Sequence, residues 1–184
     1  MARKNRTRFV LLGLIANRAR SGYDLKRAVE SSIGHFWHES YGQIYPHLGS
    51  LEEDGLATVE RIIEEGRPQR KLYRITEVGL DVLKEWLKEP VQVSRPRNEL
   101  LLKLFFGKRM TTETSISHLE KFMADLEAKR ALLELIRGEM DESLHSRADA
   151  KYWMMSLRFG ILECEAQIQW SRESMGILRE DDFL

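Results

Sequence analysis

The chain has 184 residues, a single cysteine, and 29 basic residues balanced by 29 acidic ones, for a formal net charge of zero. This length supports one good core, or a small domain with a helical extension, and a lone cysteine excludes both an intrachain disulfide and a Cys-based zinc cluster. No apolar run reaches the ~18 residues of a membrane span, and the basic start MARKNRTRF lacks the apolar stretch of a signal peptide; neither membrane insertion nor secretion is expected, and a reducing cytosol suits the chain.

Zero net charge argues against a nucleic-acid partner only until the charges are located. Residues 1–20 carry Arg3, Lys4, Arg6, Arg8, Arg18 and Arg20 with no acid, and residues 66–74 carry Arg67, Arg70, Lys71 and Arg74 with none. Local clusters set the potential that a phosphate feels. The dense apolar run at 9–16 predicts a first helix buried on most sides, extending back if Arg6 to Arg8 begin it. Ser21-Gly22-Tyr23-Asp24 is a capping-box pattern opening a second helix, with Leu25, Ala28, Val29 and Ile33 at helical spacing and Gly34 at its end. In the aromatic stretch 35–39, Phe36 and Trp37 are expected to plug the corner between two steeply crossing helices.

Ser40 is the expected N-cap of a third helix whose inward face is Ile44, His47 or Leu48, and Leu51, with Pro46 near its start. Its outward side presents Ser40, Tyr41, Gln43, Tyr45 and His47, while Glu52, Glu53 and Asp54 sit at the far end and Gly55 supplies a left-handed stop. Strands are predicted at 57–63 and 70–75, and the intervening turn is long enough to project Arg67 and Arg70. Thr76 then caps a fourth helix with Leu80, Leu83, Trp86 and Leu87 inward, ended by Glu89-Pro90. An amphipathic helix followed by a hairpin with a basic turn is the layout of a winged helix.

Two prolines bracket a stretch without apolar periodicity, which places a linker at 91–97. Beyond it, LLLKLFF predicts a short apolar helix from Asn98 to Gly107. A long helix from about 112 carries Leu119, Phe122, Leu126, Lys129, Leu133, Ile136 and Met140 on a heptad-like seam. A last helix over 149–178 has one seam of Leu157, Ile161, Cys164, Ile168, Ser171, Met175 and Leu178, and another of Met155, Phe159, Leu162 and Ala166. Two stripes require two neighbours, and a single antiparallel partner covers one of them; the other calls for a second copy of the chain. Leu157, Phe159, Ile161, Leu162, Ile168 and Met175 are the expected dimerisation residues. The fold class is therefore mainly α: a winged helix-turn-helix domain over 1–90, then an α-helical dimerisation domain with long antiparallel helices over 98–184.

The stretches SGYDLKRAVESSIGHFWHESYGQIYPHLGSLEEDGLATVE and GRPQRKLYRITEVGLDVLKEWL resemble the amino-terminal winged-helix domain of the PadR family of bacterial transcriptional regulators. RNELLLKLFFG and the two long helices resemble the carboxy-terminal domain of its virulence-activator-like subgroup. The resemblance implies a homodimer with the third helix in the major groove and the wing on the adjacent minor groove or backbone. It further implies a regulator that often represses and in some members answers a small aromatic or drug-like effector. Matched position by position, Tyr41, Gln43, Ile44 and Tyr45 fall on the recognition-helix motif, and Gly66, Arg67, Pro68, Arg70 and Lys71 on the wing motif; no ligand-binding motif carries over.

The side-chain chemistry fits double-stranded DNA as the partner. Gln43 can pair with adenine N6 and N7, and Arg67 or Arg70 can enter a narrowed minor groove. Tyr23 and Tyr41 suit phosphate or sugar contacts, while Lys26, Arg3, Lys4 and Arg6 neutralise backbone. Tyr45 has two readings, DNA contact or core ring; for Arg67 and Arg70 the alternative is a solvated turn. His35, His38 and Glu39, even with His47, His118 or His145, match no helix-borne zinc spacing, and aromatic packing is the expected role; no metal or cofactor is expected. Tyr152, Trp153 and Trp170 are candidates for an effector pocket or for dimer core. Cys164, between Glu163 and Glu165, reads as a small buried apolar residue. No nucleophile-base set or phosphate-cradling loop appears, so catalysis is not expected, and the competing reading is a protein-interaction adaptor.

Overall fold

The computed structural model describes residues 6–37, 42, 44–63, 69–92, 97–143 and 148–180, with side chains for all but 141–143. The chain divides into two compact units, Met1–Val93 and Ser94–Leu184. Among the described residues no helix is long and apolar enough to cross a membrane.

The first unit runs α1 (Thr7–Ala16), β1 (Arg20–Ser21), α2 (Gly22–Ala28) with a π-helical turn (Val29–Ile33), α3 (Ile44–Glu53), β2 (Ala57–Ile62), β3 (Arg70–Ile75) and α4 (Glu77–Lys88). Its sheet is antiparallel in the order β1-β3-β2, with Ser21 opposite Leu72 and Val59 opposite Tyr73. The short β1 was not anticipated: it adds a third strand to what the sequence presents as a hairpin. Leu11, Leu12 and Ile15 of α1, Leu25 of α2, and Ile44, Leu48 and Leu51 of α3 form one core with Leu56, Tyr73 and Leu83. Leu48 rather than His47 is the inward residue of α3, and Pro46 lies in that helix's first turn, where its missing N–H breaks no bond.

Two expectations fail in this unit for geometric reasons. Leu87 is 66% exposed, because the inward face of α4 runs through Gly79, Leu83 and Trp86 with Val82 beside it. Phe36 is also exposed and plugs no corner; it meets His35 edge-on at 4.6 Å. The widened turn before it follows Ser32, whose hydroxyl donates to the Ala28 carbonyl and competes with the regular helical ladder.

The joints are specific. At the end of α3, Leu56 N donates to Leu51 O and Gly55 N to Glu52 O, while Gly55 takes φ +70°, a Schellman stop that only glycine adopts at little cost. Thr76 Oγ1 accepts from Gly79 N at 3.0 Å and donates to Gly55 O at 2.8 Å, and Thr76 N donates to Leu56 O. The cap of α4 is thereby bonded to the turn that follows α3. At the other end, Phe9 and Trp86 stack with centroids 4.5 Å apart, and Arg6 donates to Gln92.

The second unit contains α5 (Glu99–Phe105), a 3₁₀ turn (Gly107–Arg109), α6 (Thr112–Ser143) and α7 (Ala150–Arg179). Asn98 caps α5 by accepting from Leu101 N. At 32 and 30 residues, α6 and α7 are each about 45 Å long. They run antiparallel, since Phe122 early in α6 meets Trp170 late in α7, while Lys129 and Arg130 further along α6 lie near Cys164, earlier in α7. Leu126 and Leu133 pack on Leu157, Ile161, Cys164 and Ile168. Burial raises the Cys164 thiol pKa, in keeping with a packed, unreactive side chain.

This packing corrects the dimerisation set. Leu157, Ile161, Ile168 and Met175 are buried within the chain itself and are not available to a second copy. The exposed stripe of α7 is Met155, Phe159 and Leu162, and α5 adds Leu101, Leu102, Phe105 and Phe106, none of them covered. Tyr152 is exposed, and Trp170 is half-buried on Phe122.

Candidate nucleic-acid interface

A helix that buries Ile44, Leu48 and Leu51 turns the residues between them outward. On α3 that places Tyr45, Gly49 and Glu52 on one flank, facing β3 across a cleft of about 800 Å³. The near wall is the first turn of α2, with Ser21, Gly22 and Tyr23, and the far wall is Ile62, Gln69, Arg70, Lys71 and Tyr73. Of the residues singled out from the sequence, Tyr23, Tyr45, Arg70 and Lys71 therefore converge on one concavity. Lys26 lies exposed on α2. Ser40, Tyr41, Gln43, Gly66, Arg67 and Pro68 fall outside the described residues, as do Arg3, Lys4, His38, Glu39 and His145.

The cleft's shape depends on close packing that the sequence did not announce. Gly22 sits so near Tyr45 that a β-carbon there would come 2.5 Å from the ring. Tyr45 is still 63% exposed, which removes the core-ring reading. Tyr73 forms the floor, its phenol pKa raised by burial first and then by Glu52 and Tyr45, so it stays neutral as a donor.

Charge around α3 is segregated. Glu52 pairs with Arg61 and Asp54 with Arg8, both at 3.7 Å, so two acids at the far end of α3 carry their own counter-charges. Lys71 is exposed and makes no ion pair with another described residue. Arg70 is different: its terminal Nη2 donates to Asp24 Oδ2 at 2.6 Å. The same oxygen accepts from Ser21 N at 3.2 Å and Ser21 Oγ at 2.8 Å, completing the capping box of α2. Against the upward pull of partial burial, the Ser21 bonds and then Arg70 hold the Asp24 carboxyl below its ordinary range. The expectation that Arg70 projects freely is thus incomplete.

A depressed carboxyl stabilises the fold above its unfolded pKa and loses that contribution as pH falls through the folded value. The stability gap between wild type and Asp24→Asn is accordingly expected to be constant above about pH 5 and to close below about pH 4. Urea midpoints measured from pH 3 to 7 check this; a gap that persists unchanged at pH 3 contradicts it.

The profile described as "Transcriptional regulator PadR-like family" matches residues 11–85, and that described as "Virulence activator alpha C-term" matches residues 96–179. The chain belongs to the PadR family of transcriptional regulators. The negative transcriptional regulator PadR of Bacillus subtilis is 26% identical over 141 residues, covering 76% of this chain and 75% of that protein. The PadR-like regulator BC1756 of Bacillus cereus has a similar structure, with a TM-score of 0.79 at 26% identity over 96% of this chain and 99% of that one. Bacillus subtilis PadR solved with operator DNA superposes with a TM-score of 0.81 at 22% identity, covering 93% and 98% of the two chains. At that identity the last likeness speaks for the fold. The mainly helical architecture with a small three-stranded sheet is that of the PadR winged-helix regulators.

Sequence reasoning missed Asp24 as the partner of Arg70, and Gly22, Gly49, Glu52 and Tyr73 as cleft residues. Only Asp24 carried a usable signal, because its place in the PadR-family chain's capping box fixes its carboxylate at the start of α2.

Proposed function

We propose that this PadR-family regulator acts in the cytoplasm as a homodimer that binds a palindromic operator and represses transcription. Residues 1–90 are assigned to DNA binding, 91–97 to a linker and 98–184 to dimerisation. The observation that carries the reading is the convergence of Tyr23, Tyr45, Arg70 and Lys71 on one cleft between α3 and β3. In such an arrangement α3 enters the major groove and the wing reaches the next minor groove, with the intervening sugar-phosphate strand crossing the cleft. Ser40, Tyr41, Gln43 and Arg67 are assigned to the same surface from their place in the sequence, and Lys26 to the neighbouring backbone. Half-sites are expected about 34–36 Å apart, one helical turn.

Support comes from the relatives. Bacillus subtilis PadR is named a negative regulator and has been solved with operator DNA, and separately with p-coumaric acid. A small aromatic effector that releases the operator is therefore part of the proposal, while the exposed stripe of α7 supports the dimer.

Fluorescence anisotropy with duplexes selected from a random pool, titrated against salt, tests the reading. Affinity is expected to fall steeply with salt. Lys71→Ala is expected to weaken binding evenly across sequences and make the log–log salt slope shallower by about 0.9, the signature of one lost phosphate contact. Salt-independent binding, or no binding to any duplex, would falsify the DNA-binding role. An unchanged slope in Lys71→Ala removes that lysine from it.

A further inference from the structure

Arg70 opens β3, two residues before the pairing of Leu72 with Ser21, so the strand delivers its guanidinium to the first turn of α2. There it meets a fixed anion. Asp24 is held by the Ser21 amide and hydroxyl on the same oxygen that receives Arg70, so the acid is anchored by the helix cap and the arginine is the partner free to leave. Both side chains are partly exposed, and Arg70 lines the same cleft as Tyr23, Tyr45 and Lys71. The bond uses a terminal nitrogen of the guanidinium, the end that a phosphate would grip with two parallel hydrogen bonds. A phosphate and Asp24 therefore compete for one donor. As a neutral pair, Asp24 and Arg70 also displace little of DNA's counterion atmosphere until they separate.

We propose that Asp24 is an intramolecular brake on DNA binding: it occupies Arg70 in the free protein, and the operator must displace it before Arg70 engages the backbone. The brake rests on the DNA-binding reading above. It makes Asp24 a positioning residue acting through Arg70, with an effect on affinity opposite to that of a residue which merely supports the fold.

The test is a double-mutant cycle read by anisotropy on duplexes selected by the wild-type protein, across a salt series, using Asp24→Asn, Arg70→Ala and both together. Asp24→Asn is expected to bind roughly two- to fivefold more tightly, the range an exposed charge pair supports, with a salt slope close to that of wild type, because Arg70 neutralises a phosphate in both complexes. The gain from Asp24→Asn must be larger with Arg70 present than in the Arg70→Ala background. Equal gains in the two backgrounds mean only a general field effect and overturn the brake. A loss of affinity in Asp24→Asn means that the acid orients Arg70, and also overturns it. If the asparagine variant melts too low to assay, Asp24→Ser, which keeps a capping oxygen, takes its place in the cycle. A DNA-free arm separates the brake from the reading beneath it: carbon NMR of the Asp24 carboxyl should show its titration moving upward in Arg70→Ala. No movement overturns the brake whatever the DNA result, whereas a normal shift with no wild-type binding to any duplex brings down the DNA-binding reading and the brake with it.

Discussion

Alanine at position 79 is expected to destabilise the amino-terminal unit strongly. A β-carbon added to Gly79 would lie 2.1 Å from the Leu56 carbonyl oxygen, far inside van der Waals contact. The obstacle is backbone, and that carbonyl is committed to the Thr76 amide at 3.1 Å, so no side chain can turn aside to make room. Relief requires α4 to move off the turn after α3. That breaks the bonds from Thr76 to Gly55 and Gly79 and lifts Leu83 from the core. Overpacking alone costs about 1–3 kcal/mol, and a lost cap about 1 more. Against a typical total of about 5–15 kcal/mol, the sum removes a large share of the stability. Gly13→Ala is the control, since a β-carbon there meets nothing within 4 Å and a helix-interior alanine should stabilise by about 1 kcal/mol. Urea denaturation of both variants decides; equal midpoints for Gly79→Ala and wild type would sink the argument.

A second large effect is expected from Met155→Glu combined with Phe159→Glu. These residues are 69% and 63% exposed and lie one helical turn apart on the stripe that the chain itself leaves open. Carboxylates there touch nothing in the monomer, so its circular dichroism and melting should stay near wild type. In a dimer that buries the stripe, two unpaired charges on each side cost several kcal/mol. Sedimentation at micromolar concentration should then change from dimer to monomer, and operator affinity should drop by about 10²–10⁴ as two linked half-site contacts become one. A variant that still sediments as a dimer places the interface elsewhere, with α5 the next face to mutate. Wild type sedimenting as a monomer removes the dimer altogether.

What could be read from the sequence followed the strength of each local pattern. The inward face of α3, the Ser21 and Thr76 caps and the Gly55 stop all rest on spacings of a few residues, and each appears in the structure as read. β1 is two residues, Arg20 and Ser21, too short to show alternation, and exists only because β3 is there to pair with it. Leu87 falls at a spacing that suits the inward face, but helical spacing alone cannot say that Gly79, with no side chain, centres that face. On α7 the two stripes are visible, but composition does not distinguish them, so Leu157 and Phe159 enter one expected dimerisation set although they face different ways. The Asp24–Arg70 pair joins positions 46 apart, and no periodicity reports such a meeting.

The contacts of Arg6 with Gln92 and of Phe9 with Trp86 bring the two chain ends of the first unit to one spot. A unit that enters and leaves through the same point behaves as a cassette. It can be spliced onto a different helical partner, or permuted by joining its ends and opening a surface turn, without rethreading its core. The first unit is thereby transferable whole, through one point of attachment.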